Sequence, residues 1–323
     1  MNLSCRVQRA MLAIATLFIA GAAIADYPER PIRLVIPYPP GGGADISARI
    51  ISQHLAEALG KPVLADNKPG GAANIGTEIV ARAAADGYTL LLASLATAVN
   101  VSLYEKLPFN TLKDFDPVSL FVTAPLLVTV NPRVPANNIQ ELIALAKAKP
   151  GMLNYASGGI GTSNHVAGEL FKYMAGVQIT HVPYKGGGPA VSDLVAGHVQ
   201  MYIGTILSAR EFVNAGRVRA LATTTAQRTA IMPDLPTVAE SGLTGYDVAS
   251  WYGVFAPAGT PRPIVDKLSA ELAKILRLPD VRELLKANGT DAVGSTPEEA
   301  TVFFRKEVDK WSKVIKASGL KSE

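Results

Sequence analysis

Two rhythms of apolar and polar residues alternate along the chain. Residues 32–38, IRLVIPY, form a short and nearly unbroken apolar run. A run of that length predicts a buried β-strand. Ile46, Ile50, Ile51, Leu55 and Leu59 then recur at helical spacing as far as Gly60. That pattern predicts a helix stopped by glycine. Residues 62–67 and 88–94 read as further strands, with a helix over 74–85 between them. Strands alternating with helices predict a parallel sheet with helices on its faces, an α/β fold.

The alternation starts again further on. Helices are predicted over 137–149, 162–176, 189–199 and 208–216, and strands over 153–157, 179–184, 201–205 and 218–225. The C-terminal part reads as helical over 263–278, 279–288 and 297–317. Two β-rich stretches, 115–132 and 246–261, connect the halves. Two connections predict a chain that enters a second lobe and then returns to the first, crossing near residues 125 and 249. The expected division is 26–124 plus 250–323 for one lobe and 125–249 for the other. A ligand then sits between the lobes, where the C-terminal ends of the strands face one another.

The first residues lie outside this pattern. Arg6 and Arg9 precede a stretch without charge over 10–24, and Ala23-Ile24-Ala25 gives a small-x-small site. The segment 1–25 reads as a secretory signal peptide cut after Ala25. It is shorter than the ~20 apolar residues of a spanning helix. Cys5, the only cysteine, precedes the apolar run and leaves with the signal, so the mature chain is expected to have no disulfide. Cleavage removes two arginines and no acid, which lowers the net charge from +4 to +2. No basic stripe interleaved with aromatics is present, which argues against nucleic acid as a partner. The length of the remainder predicts two domains.

Candidate chemistry sits at strand-to-helix turns. PYPPGGGADI (37–46) and YASGGIGTSNHVAGE (155–169) each join a strand to a helix through glycines. Glycine permits close backbone approach, and the helix start that follows offers unpaired N–H groups to an anion. The second loop adds the hydroxyls of Ser157, Thr162 and Ser163. Two such loops across a cleft suit a ligand with an anionic group at one end or both. The bland alternative is a tight connection only, with Asp45 and Thr162 as plain helix caps. Neither loop has the nucleotide P-loop spacing, and Gly41, Gly43 and Ile46 miss the dinucleotide fingerprint. A third junction, YKGGGPAVSDLVAGHV (184–199), carries Lys185, either an anion partner or a solvated loop lysine, and Pro189, which suits a first helical position. His54, His165, His181 and His198 show no metal-ligand spacing. Ser157 and His165 make a conceivable nucleophile and base, but no placed carboxylate completes a triad. Tyr38, Tyr184, Tyr202, Trp251 and Tyr252 fall at strand ends or connections, either lining the cleft or in the core.

Longer motifs carry a resemblance. YPERPIRLVIPYPPGGGADISARI, NKPGGAANIGTEIVARAAADGYTLLLAS, NYASGGIGTSNHVAGELFK, VPYKGGGPAVSDLVAGHV, LPTVAESG and GVFAPAGTP occur in order over the mature chain. In these the sequence resembles the Bug proteins, or TctC family, the extracytoplasmic receptors of tripartite tricarboxylate transporters. The resemblance implies a two-lobed Venus-flytrap fold of the periplasmic binding-protein type with two crossovers. It implies capture of a small organic carboxylate, delivered to a membrane partner with a large and a small subunit. One carboxylate is then held by backbone groups and bridging waters from residues 40–45 and 157–162. The implied ligand-binding set is Tyr38, Pro40, Gly41, Gly42, Ala44, Asp45, Ser94, Thr97, Ser157, Gly161, Thr162, His165, Lys185, Gly186 and Thr205. No catalytic residue, metal or cofactor is expected, and the chain is expected to be a monomer in the periplasm.

Two positions depart from the family. A histidine is frequent where Thr97 stands, and an aspartate is common at the position of Gly204. Loss of that acid implies an enlarged pocket and a ligand without an ammonium group: a di- or tricarboxylate, or an aromatic carboxylate. The alternatives are a sensory receptor that presents its ligand to a membrane kinase, and a hydrolase using Ser157 and His165.

Overall fold

Strand β1 (Ile32–Ile36) is buried at four of its five residues and pairs in parallel with β2 (Val63–Asn67) and β3 (Thr89–Ser94). In this computed structural model, residues 27–229 and 231–321 are described, and the predicted signal peptide lies outside them. Helix α1 (Gly43–Leu59) makes the first crossover and α2 (Asn74–Ala81) the second. Gly60 stops α1 in the left-handed region (φ 67°), as its sequence position predicts.

The chain then runs through α3 (Leu95–Leu103) into β4 (Phe115–Val130), a strand of 16 residues. Next come α4 (Ile139–Ala148), β5 (Asn154–Ser157), α5 (Ser163–Ala175), β6 (Thr180–Pro183), α6 (Gly187–Ala196), β7 (Met201–Thr205), α7 (Ile206–Asn214) and β8 (Arg219–Thr223). The return is made by β9 (Ala249–Pro257), followed by α8 (Arg262–Ile275), α9 (Pro279–Ala287), β10 (Asp291–Ala292) and α10 (Pro297–Ser318).

The ten strands form one mixed sheet in the order β2-β1-β3-β9-β4-β7-β5-β6, with β8 and β10 also on β4. The purely parallel sheet expected from the alternation is therefore corrected. β9 runs antiparallel to both β3 and β4, and β4 antiparallel to β7 and β8, because each long strand traverses the molecule against its neighbours. β4 pairs with β9 from Phe115 to Pro125 and with β7 from Leu126 to Val130.

Three elements differ locally from expectation. α3 has no predicted counterpart, because it is buried at seven of its nine residues and shows no amphipathic period. α2 stops at Ala81, short of residue 85. α6 starts at Gly187, so Pro189 is its third residue rather than its first. That position is tolerated because the first-turn N–H groups lack intrahelical acceptors anyway.

The C-terminal helix α10 ties the sheet together. Thr296 Oγ1 accepts the Glu299 N–H at 3.2 Å and Glu299 Oε2 accepts the Thr296 N–H at 2.9 Å, a capping box. Buried Glu307 accepts the indole N–H of Trp251 on β9 at 3.0 Å and that of Trp311 at 3.1 Å. The core cluster they join runs without a break from Val35 and Leu91 to Tyr155 and Phe171.

Candidate binding site

Five helices begin at one cavity of about 680 Å3. From the first half of the sheet come residues 38–44 at the start of α1, Ser94, Leu95 and Ala96 at the start of α3, and Ser250 and Tyr252 on β9. From the second half come Gly158 and residues 162–164 at the start of α5, and residues 185–189 at the start of α6. Tyr202, Thr205, Leu207 and Ser208 complete it where β7 passes into α7. The N-cap residues Gly42, Thr162, Gly186 and Thr205 make no side-chain cap hydrogen bond. Each of those ends presents backbone donors and partial positive charge.

Among the described residues, Lys185 is the only lining residue with a formally charged side chain, and no lining residue is acidic. The phenols of Tyr38, Tyr202 and Tyr252 are kept neutral by burial, which pushes each up from its ordinary value. Tyr38 Oη lies 2.5 Å from Ser94 Oγ. The wall is thus a set of neutral donors with one cation at its rim. Such a surface suits an anion and offers no acidic side chain to pair with an ammonium group.

Ten of the fifteen expected residues line the cavity: Tyr38, Pro40, Gly41, Gly42, Ala44, Ser94, Thr162, Lys185, Gly186 and Thr205. The other five stand behind the wall. Asp45 is buried and accepts the Gly41 N–H at 2.9 Å, Arg49 Nε at 3.0 Å and Asn67 Nδ2 at 2.8 Å. Burial pushes its carboxyl up, but Arg49, the Gly41 amide and Asn67 together hold it below the usual range. Asp45 therefore anchors the first glycine loop from below. It also takes the Gly41 N–H away from any ligand. Thr97 Oγ1 accepts the Ser94 N–H at 3.1 Å and so caps α3.

Ser157, Gly161 and His165 belong to a second support. His165 Nδ1 accepts the Gly161 N–H at 3.1 Å, and Ser157 Oγ accepts the Gly159 N–H at 3.1 Å. The Ser157–His165 pair weighed as nucleophile and base does not form: Ser157 Oγ lies 2.7 Å from His181 Nε2 instead. His181 is stacked between His165, with centroids 4.1 Å apart, and Tyr155, 4.9 Å apart. Burial drives both imidazoles down to about 4, so they are neutral at pH 7 and free to accept from the loop. His54 and His198 lie elsewhere, beside Glu57 and Asp193.

The position of Gly204 requires a second correction. The expected extra space is filled, because a Cβ there would lie 1.8 Å from the Tyr202 ring. Among the other aromatics, Trp251 faces the core and Tyr184 donates to Asp193 at 2.7 Å. The sequence offered Tyr202 as either cleft or core and did not single out Asn164, Gly187 and Ser208, which also line the cavity. The signal available was their place among the first three residues of a helix that follows a strand.

Fold and site together define a class: a two-lobed α/β solute-binding protein of the periplasmic binding-protein type. The chain belongs to the TctC family, the tripartite tricarboxylate transporter family receptors, whose model matches residues 47–320. It is similar to the protein BugT of Bordetella pertussis, 37% identical over 319 residues that cover 96% of this chain and 98% of BugT. It is also similar to the solved structure of R. palustris Rpa4515 with adipate. The two are 36% identical with a TM-score of 0.84, covering 91% of this chain and 98% of that one. MatC from Rhodopseudomonas palustris with bound malate is 33% identical with a TM-score of 0.81, covering 90% and 100%. The family and the fold are those of substrate-binding receptors.

Proposed function

We propose that the protein captures a small organic acid in the periplasm and delivers it to the membrane subunits of a tripartite tricarboxylate transporter. The ligand is a di- or tricarboxylate, or an aromatic carboxylate, without an ammonium group. One observation carries this reading: five helix starts converge on a cavity with a single lysine and no acidic side chain. A carboxylate is held there by backbone N–H groups of the first and second glycine loops. A volume of about 680 Å3 lies within the range of small-molecule sites. The adipate of Rpa4515 and the malate of MatC fit the same chemistry.

The proposed lobes are residues 26–124 plus 250–323, and 125–249. The change of partner along β4 after Pro125 supports that division. Ligand contacts with both lobes then favour the closed arrangement. The proposed signal peptide carries the chain across the membrane, and N-terminal sequencing of the periplasmic form is expected to begin at Asp26.

A thermal-shift screen of organic acids on the mature protein tests the ligand class. An acid at a hundredfold its Kd adds ~2.7 kcal/mol of stability. The expected outcome is stabilisation by di- or tricarboxylates or by aromatic carboxylates. Stabilisation by aspartate or glutamate with none from plain acids contradicts the reading.

A further inference from the structure

Tyr202 sits on a seat made by two glycines. It lies on β7, is 1% exposed and belongs to a cluster with Ala190, Val191 and Leu194 of α6. Gly204 follows two residues later, on the same face of the strand. A Cβ on Gly204 would lie 1.8 Å from Tyr202 Cε1 and 2.1 Å from Cζ. One on Gly187, the first residue of α6, would lie 2.9 Å from the tyrosine hydroxyl. The ring is thus laid along β7 where only hydrogen fits beneath it. Its hydroxyl reaches the cavity wall beside Asn164, Gly187 and Ser208.

At that wall the hydroxyl has only long contacts. Asn164 Nδ2 donates to it at 3.4 Å, and Ser208 Oγ stands 3.4 Å away. Ser208 Oγ is already engaged, donating to the Thr205 carbonyl at 2.7 Å and accepting the Thr205 hydroxyl at 3.2 Å. Hydroxyl-to-oxygen bonds are normally 2.5–3.0 Å long. The Tyr202 proton therefore has no short acceptor among the described residues, at a point where the cavity offers room for one.

We propose that Tyr202 is a specificity-determining residue whose hydroxyl, fixed in depth by Gly187 and Gly204, donates to the second acid group of a bound dicarboxylate. This rests on reading the cavity as a carboxylate site. The first acid group lies on the glycine loops, and the ring cannot slide along β7. The span between the two donors therefore selects the length of the ligand. It also separates diacids from monoacids of equal length, since only a diacid offers an acceptor at that depth.

The test is calorimetric titration of wild type, Tyr202→Phe and Gly204→Ala with succinate, glutarate, adipate and hexanoate. Tyr202→Phe keeps the ring on its seat and removes only the donor. Its affinity for the preferred diacid is expected to fall about tenfold, the loss of one hydrogen bond to a charged group, with hexanoate unchanged. Gly204→Ala drives the ring off β7 toward the cavity, and the preferred diacid is expected to become shorter. If Gly204→Ala does not fold, Tyr202→Phe alone decides. Wild type binding a diacid that Tyr202→Phe binds equally well overturns the proposal and leaves the carboxylate reading standing. Wild type binding none of the diacids overturns the proposal, and wild type binding no tricarboxylate or aromatic carboxylate either overturns the carboxylate reading as well.

Discussion

His165 and His181 do their work by staying uncharged. Each offers a ring nitrogen to the second glycine loop, and the two are stacked on each other beneath it. The charged groups facing them are Glu169 and Lys172 of α5, paired at 2.7 Å, and Tyr155 of β5 donates to Glu169 at 2.6 Å. Burial lowers both imidazoles from 6.5 to about 4 in the folded chain, against the opposing pull of Glu169. Unfolded chains therefore take up protons first. Stability from this pair is complete above pH 6.5 and is lost as pH falls toward 4, at up to about 1.4 kcal/mol per pH unit for each histidine. Thermal unfolding between pH 6.5 and 4.5 is expected to show a shallower fall in His181→Gln than in wild type. Identical slopes contradict the assignment. Lys185 acts in the other direction, as an exposed rim charge. Lys185→Ala is expected to weaken dicarboxylate binding a few-fold at low salt, with the difference fading as salt is raised. A salt-independent loss contradicts a rim electrostatic role.

The elements make the site by where they start. Each helix at the cavity follows a strand end, and close packing of helix on sheet fixes its first turn. Gly168 shows how tight that packing is: a Cβ there would lie 2.3 Å from the Tyr155 ring, so α5 presses directly on β5. Gly168→Ala is expected to destabilise the protein by about 1–3 kcal/mol, measured by denaturant unfolding, because the buried ring cannot yield. An unchanged midpoint contradicts that account. This level was also the most legible in the sequence. β7 falls where its residues predict, and Thr162 and Gly176 flank α5 as caps. The glycine loops were readable because strand, glycine and helical period are all local signals. α3 was not, because full burial erases period. The direction of β4 and β9 was not legible either, since apolar runs do not encode which way a neighbouring strand runs. The roles of Asp45, Thr97 and His181 depended on side chains reaching back across turns or between strands, which spacing alone does not reveal.

The two halves share one sheet and one core cluster that spans them, yet they meet across the cavity through loops. A Cβ on Gly161 of the second half would lie 3.1 Å from Leu103 and 3.2 Å from Asn100 of α3, a close approach between the halves. In the proposed mechanism β4 and β9 flex where their pairing changes, and ligand holds the loops together. Small-angle scattering is expected to show a smaller radius of gyration at saturating ligand. An unchanged radius contradicts closure. The central claim is that neutral backbone donors in this cavity hold an organic acid lacking an ammonium group. Isothermal titration of the mature protein with plain di- and tricarboxylates and aromatic carboxylates, beside aspartate and glutamate, tests it most directly. Saturable one-to-one binding of at least one plain acid is expected, with no tight binding of the two amino acids. Tight binding of aspartate or glutamate, with none of the plain acids bound, contradicts it.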